Sequence, residues 1–442
     1  MTCFRKVLKL LEPPKQFGTS TYWAQINAHV KVFIGGPRRI SGIVHLLRIL
    51  SFLSLAILCS PFCYVAQLLG FRFVVVDLSQ IGSLLWLDSF LREDRLNKKT
   101  PKIKMLICRD GATCANAYIL DLYEPYVTYV SNPFLKIILS PFFVNPWLQS
   151  NTREYEHTRT FSGKIENEKN RTQKIYQEYA GSFGLNLISI PPEDICKGYD
   201  IIKDILPKDR PFVTMHARES GFNREKYKSL RNSNIRDVES ACKHLIARGF
   251  FIFRMGDSSM SPISEMASRL GGNIFDYANS NIRSDFMDCF LISECDFFVG
   301  GSSGLSSIPP LFGTNSVNVN FYNTNISLGF IPGDLTAFKK YRYKESDELI
   351  DFYKSVRPPF NRNLTPAEMD EHGVYLEDNT DVEILATVRE YVENPAAQET
   401  QLQKISKQSL PAGSFSYQAK GNYSDFLLSI YKESNSRTFT AR

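Results

Sequence analysis

The sequence predicts an α/β protein built from two doubly wound, Rossmann-like domains. Three observations lead there. The chain has 442 residues, 43% hydrophobic and 13% aromatic, which is enough for two packed cores. Short apolar strand-like runs alternate with amphipathic helical runs from Phe71 onward, and again, more regularly, from Phe212, as parallel sheets require. Polar and glycine-rich residues follow each strand run of the second half, where open α/β sheets gather ligands.

Taken in order, FRFVVVDLS (from Phe71) reads as a strand, IGSLLWLDSFLRE as a helix, and KIKMLICRD and YVTYVS as strands. The polar stretch from Ser150 to Arg171 reads as a surface loop. A linker is expected near residue 206, with Pro207 and Pro211 as punctuation. The second half then runs FVTMHA, NIRDVESACKHLIARG, FFIFRMGD, SPISEMASRLG, GNIFDYA, RSDFMDCFLISEC, DFFVGG, SGLSSIPPLFG, SVNVNFY, strand and helix in turn. DNTDVEILATVREYVEN has helical spacing and should pack on one face or against the first domain. The expected domains are 1–70, a basic and hydrophobic membrane-associating segment; 71–206, an acceptor domain; 207–395, a donor domain; and 396–442, a polar tail.

The charge of +6 and pI of 8.7 suit a phosphate-bearing ligand or an anionic surface. There is no dense Lys/Arg patch of the kind that neutralises several phosphates, so nucleic acid is excluded as a partner. The nine cysteines show no CxxC pair and no zinc-ligand spacing, which argues against disulfides or structural zinc and for a reducing cytosol. From Ile49 to Phe71 the chain carries no charged residue, and the run follows Lys31, Arg38, Arg39 and Arg48. Three readings of that run stand, in order: a segment lying in the membrane surface, a spanning anchor, and a buried helix. The first places the protein in the cytoplasm, peripheral at the inner face of the plasma membrane, with contact through residues 43–70.

Four strand ends should carry the chemistry: His216, Arg218 and Glu219; Arg254, Gly256 and Asp257; Asp276 and Tyr277; and the loop Gly300 to Gly304, with Ser302 and Ser303. The Gly/Ser loop opening a helix can offer backbone N–H groups and hydroxyls to an anion. Arg218 and Arg254 can add guanidinium forks to the same diphosphate, and Asp276 can accept from a base or ribose. Each has a plainer explanation: a cap and turn for the loop, an Arg254–Asp257 ion pair, a turn cap for Asp276, a helix-dipole role for Asp285, a core role for His216. The combination points to a nucleotide-diphosphate site. No DxD stands at a strand end of the second domain, so neither metal nor cofactor is expected. Glu219 is the nearest general base, with a salt bridge to an Arg as the equal alternative.

The pieces HARESG, FRMGD, DYA, SDFMD and FFVGGSSGLSSIPPLFGTNSV resemble a bacterial family of surface-polysaccharide glycosyltransferases over roughly residues 70–390. The His216–Arg218 pair is also similar to a motif of the nodulation-type and protein O-fucosyltransferases. The resemblance implies a GT-B-like fold, two Rossmann-like domains facing across a cleft. It also implies metal-independent, inverting transfer of a sugar from a nucleotide diphosphate, GDP favoured, to a glycan or lipid-linked acceptor. Arg218 would hold the β-phosphate, and Ser302 and Ser303 would sit on the diphosphate. Ser83 stands where that family's first domain is expected to carry a His. Two other readings remain: a catalytically silent nucleotide- or glycan-binding protein, and a nucleotide-sugar epimerase on the same scaffold.

Overall fold

The computed structural model describes residues 71–76, 80–97, 103–107, 115–130, 149–151, 171–220, 230–322, 329–362, 364–394, 399–411 and 419–434, with scattered single positions between 51 and 69, 132 and 139, and at 78, 324 and 416. Two compact units result, one of residues 1–115 and 123–154, the other of 116–122 and 155–442. The surface loop expected at 150–171 lies almost wholly outside the described residues. Among the described residues no helix is long and apolar enough to cross a membrane.

The first unit holds a parallel sheet of β1 (Phe71–Val75), β2 (Ile103–Ile107), β3 (Thr128–Val130) and β4 (Gln149–Asn151), in the order β3-β2-β1-β4. After β1 a 3-10 turn, Ile81–Ser83, leads into the helix Leu84–Leu96, whose buried Leu84, Leu87 and Leu91 recur at helical spacing. The same helix carries two fully buried charges, Asp88 and Arg92, paired one turn apart, with the Tyr123 hydroxyl donating to Asp88 at 2.9 Å. Such a pair is tolerated inside only because each charge has its counter-charge.

The second unit is wound on a seven-stranded parallel sheet: β5 (Phe212–His216), β6 (Phe251–Arg254), β7 (Ile274–Phe275), β8 (Phe298–Gly300), β9 (Ser316–Phe321), β10 (Leu335–Phe338) and β13 (Asn422–Tyr423), ordered β13-β10-β9-β8-β5-β6-β7. From β7 to β10 this is the doubly wound order 3-2-1-4-5-6. A separate antiparallel pair joins β11 (Lys340–Tyr343) to β12 (Val374–Glu377). All five strands and the helices expected between Phe212 and Phe321 are present, and both units meet the expectation of Rossmann-like parallel α/β winding. Strands β5 and β6 are buried on both faces, which explains the largely apolar FVTM and FIF; β9 is equally buried but alternates apolar with polar residues, Ser316, Asn318 and Asn320 among them. Helix Asp381–Glu393 lies on the second unit's own sheet, with Ile384 and Val388 in the cluster that holds Val213, Met215, Val299 and Val317.

Two boundaries differ from expectation. The contact boundary falls after Glu154 rather than at 206. The reason is that helix Pro192–Ile202 packs on the second unit: Gly198 sits against Phe290, where a Cβ would come within 2.3 Å of the ring, and Tyr199 meets Phe290 edge-on. The stretch 396–442 is also more than a polar tail. Helix Gln401–Gln408, capped reciprocally by Thr400 and Gln403, precedes β13 and helix Asp425–Ser434. Tyr423, Leu428 and Tyr431 are fully buried with Phe338 and Phe352. Apart from the run Phe426–Leu428 and the pair Ile430 and Tyr431, the segment is rich in Ser, Gln and Lys, so it reads as polar until the sheet edge it covers is known.

Candidate functional site

The site is set by where the winding reverses. From β5 the chain proceeds through β6 to β7 on one side and then returns to β8 on the other. The two first crossovers therefore leave β5 and β8 in opposite directions, opening a crevice at their carboxyl ends. His216 and Gly300 are register partners at that point. His216 is buried, with Nδ1 3.1 Å from the Met255 carbonyl oxygen, a geometry in which Nδ1–H donates. Burial, together with nearby Arg254 and Arg218, lowers its pKa to about 4, so the imidazole is neutral. Arg218 follows, 4% exposed, its carbonyl accepting from the Ser233 N–H at 2.9 Å.

Across the crevice, the glycines are required by space. A Cβ on Gly300 would lie 2.4 Å from the Phe298 ring, and one on Gly301 2.8 Å from the Val319 carbonyl oxygen. Ser302 is turned inward: its hydroxyl accepts from the Tyr322 N–H at 2.6 Å and donates to the Tyr322 carbonyl at 3.2 Å, tying the loop to the end of β9. Ser303 accepts from the Ser306 N–H at 3.4 Å, and the Ser306 hydroxyl donates to the Gly301 carbonyl. The loop's side chains thus hold the loop itself. Among the described residues nothing accepts from the backbone N–H of Ser302, Ser303 or Gly304, so three successive donors stand open at this strand end. The helix expected after them is a 3-10 turn, Leu305–Ser307, and a four-residue helix, Pro309–Phe312, too short to add much dipole.

The remaining strand ends are tied together. Arg254, fully buried, reaches Asp276 at 3.0 Å through Nη1 and Glu219 at 3.3 Å through Nη2. The second Glu219 oxygen accepts from the Ser261 N–H at 2.6 Å, and the second Asp276 oxygen from the Ile263 N–H at 3.2 Å and Asn279 at 2.9 Å. Arg254 is therefore a structural ion-pair residue, with Glu219 and Asp276 as its partners instead of Asp257. They neutralise its charge, and both Glu219 oxygens are occupied. Asp257 caps a turn by accepting from the Ser259 N–H at 2.8 Å, and Gly256 adopts φ +148°, with Met260 2.9 Å from any added Cβ. Tyr277 is fully buried; its hydroxyl donates to Asp288 at 2.7 Å and accepts from the Ser284 N–H at 3.1 Å. Desolvation raises Asp288 to about 7. Asp288 is a residue that sequence reasoning misses; its signal is its place one turn after the Ser284 cap, pointing back at the strand ends. Asp285 accepts from the Ala117 N–H at 2.8 Å and so anchors the segment Asn116–Leu122.

On the β6 side of Glu219 lies a cleft of about 780 Å³, lined by Asn232, Arg236, Ile263, Glu265, Met266 and Asp378 among others. Asn232 is 6% exposed, and its Oδ1 has no partner among the described residues. Ser83 is buried at the start of helix Leu84–Leu96, in the turn after β1. Among the described residues no three His, Cys, Asp or Glu side chains come together as a metal would need.

No family model and no curated protein matches the chain. Solved structures do. E. coli ADP-heptose LPS heptosyltransferase II aligns at TM-score 0.36 and 13% identity, over 56% of this chain and 84% of its own. A glycosyltransferase of family 9 from Veillonella parvula aligns at 0.38 and 11%, over 59% and 82%. The E. coli heptosyltransferase WaaC with ADP aligns at 0.36 and 12%, over 74% and 99%. TM-scores below 0.5 do not fix a function, so the chemistry of the site rests on the chain's own residues.

Proposed function

We propose that the chain is a glycosyltransferase of GT-B-like arrangement that binds a nucleotide-diphosphate sugar at the β5/β8 crevice and passes the sugar to a glycan or lipid-linked hydroxyl. One observation carries this: the three N–H groups of Ser302–Gly304, without an acceptor among the described residues, stand in the loop after β8, beside the strand that leads into Arg218, at the reversal point of the sheet. Breaking the sugar–diphosphate bond leaves negative charge on the departing β-phosphate. Preorganised N–H donors and a guanidinium stabilise that charge more than they stabilise the bound donor. The Glu219–Arg254–Asp276 bridge fixes the backbone on which Arg218 sits. Neutral His216, donating from Nδ1, presents Nε2 as an acceptor that orients the donor. With both oxygens occupied, Glu219 serves this architecture as an anchor, and the acceptor proton leaves through another group.

A nucleotide- or glycan-binding protein without turnover is the second reading, favoured by that saturation of Glu219. The deciding experiment is a thermal-shift series with GDP, UDP, CDP, TDP and ADP, followed by nucleotide release in the presence of acceptor mixtures. A ligand at a hundred times its Kd adds about 2.7 kcal/mol to the native state. Stabilisation by one diphosphate, abolished in Arg218→Ala, is expected. Stabilisation with no nucleotide release under any acceptor mixture selects the binding protein, and no response to any diphosphate overturns the site.

A further inference from the structure

From the exposed apolar residues before β1 we infer that the face formed by Leu58, Tyr64, Val65, Leu68 and Leu69 docks on an anionic lipid surface, lying along it. The described positions there, Ser51, Ser54, Leu58, Pro61, Tyr64, Val65, Ala66 and Leu68, are helical, and Leu69 continues the last turn by donating its N–H to the Val65 carbonyl at 2.9 Å. Tyr64, Val65, Leu68 and Leu69 fall at i, i+1, i+4 and i+5, one face of a helix. All four point outward: Tyr64 is 60% exposed, Val65 52%, Leu68 71% and Leu69 63%, with Leu58 before them at 74%. Elsewhere among the described residues the exposed large apolar side chains form no such run, Phe183 and Leu185 being the nearest pair. A contiguous face of this kind marks something that covers it.

The sequence identifies the cover by charge. No Asp, Glu, Lys or Arg occurs from Ile49 to Phe71, so no charge interrupts the face. The charges that precede it are basic, Lys31, Arg38, Arg39 and Arg48, complementary to acidic headgroups and each adding electrostatic attraction at the surface. Tyr64 has the amphipathic ring that settles at headgroup depth. Pro61 interrupts the run, which suits an interfacial position.

The test uses the full chain and co-sedimentation with vesicles of phosphatidylglycerol and phosphatidylethanolamine, against vesicles of phosphatidylcholine alone. Binding to the anionic vesicles, weakened by about 0.5 M salt as screening requires, is expected. The variant carrying Leu58→Glu, Leu68→Glu and Leu69→Glu should partition at least about tenfold less, since burying one Leu already accounts for that factor. Should that variant melt early, the single Leu68→Glu carries the test. The thermal response of the variant to nucleoside diphosphates should equal the wild type's, which separates this inference from the donor site. Absence of vesicle binding, equal binding by the variants, or self-association through the same residues without vesicle binding would each overturn it.

Discussion

Arg218 and Arg254 are both buried arginines at adjacent strand ends, and the proposed function gives them different work. Arg254 is neutralised by two carboxylates, so Arg254→Met should act chiefly on stability. Losing the fork leaves Glu219 and Asp276 without their counter-charge, a cost of about 3–5 kcal/mol, read as a lower urea midpoint. Arg218→Ala should instead lower kcat/KM by about 10²–10³, the range for removing one preorganised donor. Asp288 gives a pH prediction. Its pKa near 7 in the fold lies above the unfolded value, so between about pH 4 and 7 the native state holds a proton that the unfolded state has lost. Stability from this group therefore falls as pH rises through that window. His216, held near 4, acts oppositely, its contribution being present above about 6.5 and lost as pH falls. Asp288→Asn should remove only the first slope, so urea midpoints at about pH 4.5 and 7.5 should favour the variant over wild type more at the higher pH. The residue types at these strand ends were legible in the chain; which carboxylates Arg254 faces was not, because that depends on the spacing of β5, β6 and β7.

At the scale of elements, the loop from Gly300 to Ser307 shows hydroxyls spent on the loop itself instead of standing free. Gly and Ser at those positions announced an anion loop, but the hydroxyl of Ser302 belongs to Tyr322. Ser302→Ala should thus cost about 1–3 kcal/mol through the unsatisfied Tyr322 N–H, and weaken diphosphate binding only by loosening the loop. Gly301→Ala, which drives a Cβ against the Val319 carbonyl, should lose the nucleotide-induced thermal shift while the protein still melts cooperatively. The carboxyl-terminal elements make the opposite point. Ending the chain at Asn394 removes Tyr423, Leu427, Leu428 and Tyr431 from the core. Large buried side chains are worth about 2–5 kcal/mol each, so the truncated chain should lack a cooperative urea transition.

Over the whole molecule, two parallel sheets share the winding 3-2-1-4; hydrophobic patterning fixes their parallel α/β character, and the pairing of strands fixes the order. Apolar runs of strand length separated by amphipathic helices leave few other ways to bury both faces of each sheet. The sequence by itself therefore determined the α/β class, the strand run from Phe212 to Phe321, and the strand ends where polar residues emerge. Only the tertiary structure decided that the helices before Phe212 belong to the second unit, that β13 closes its edge, and which strand-end groups neutralise one another. Those outcomes depend on contacts between residues far apart in the chain, such as Gly198 on Phe290 or Arg254 between Glu219 and Asp276, and periodicity carries no information about a partner that arrives from another element.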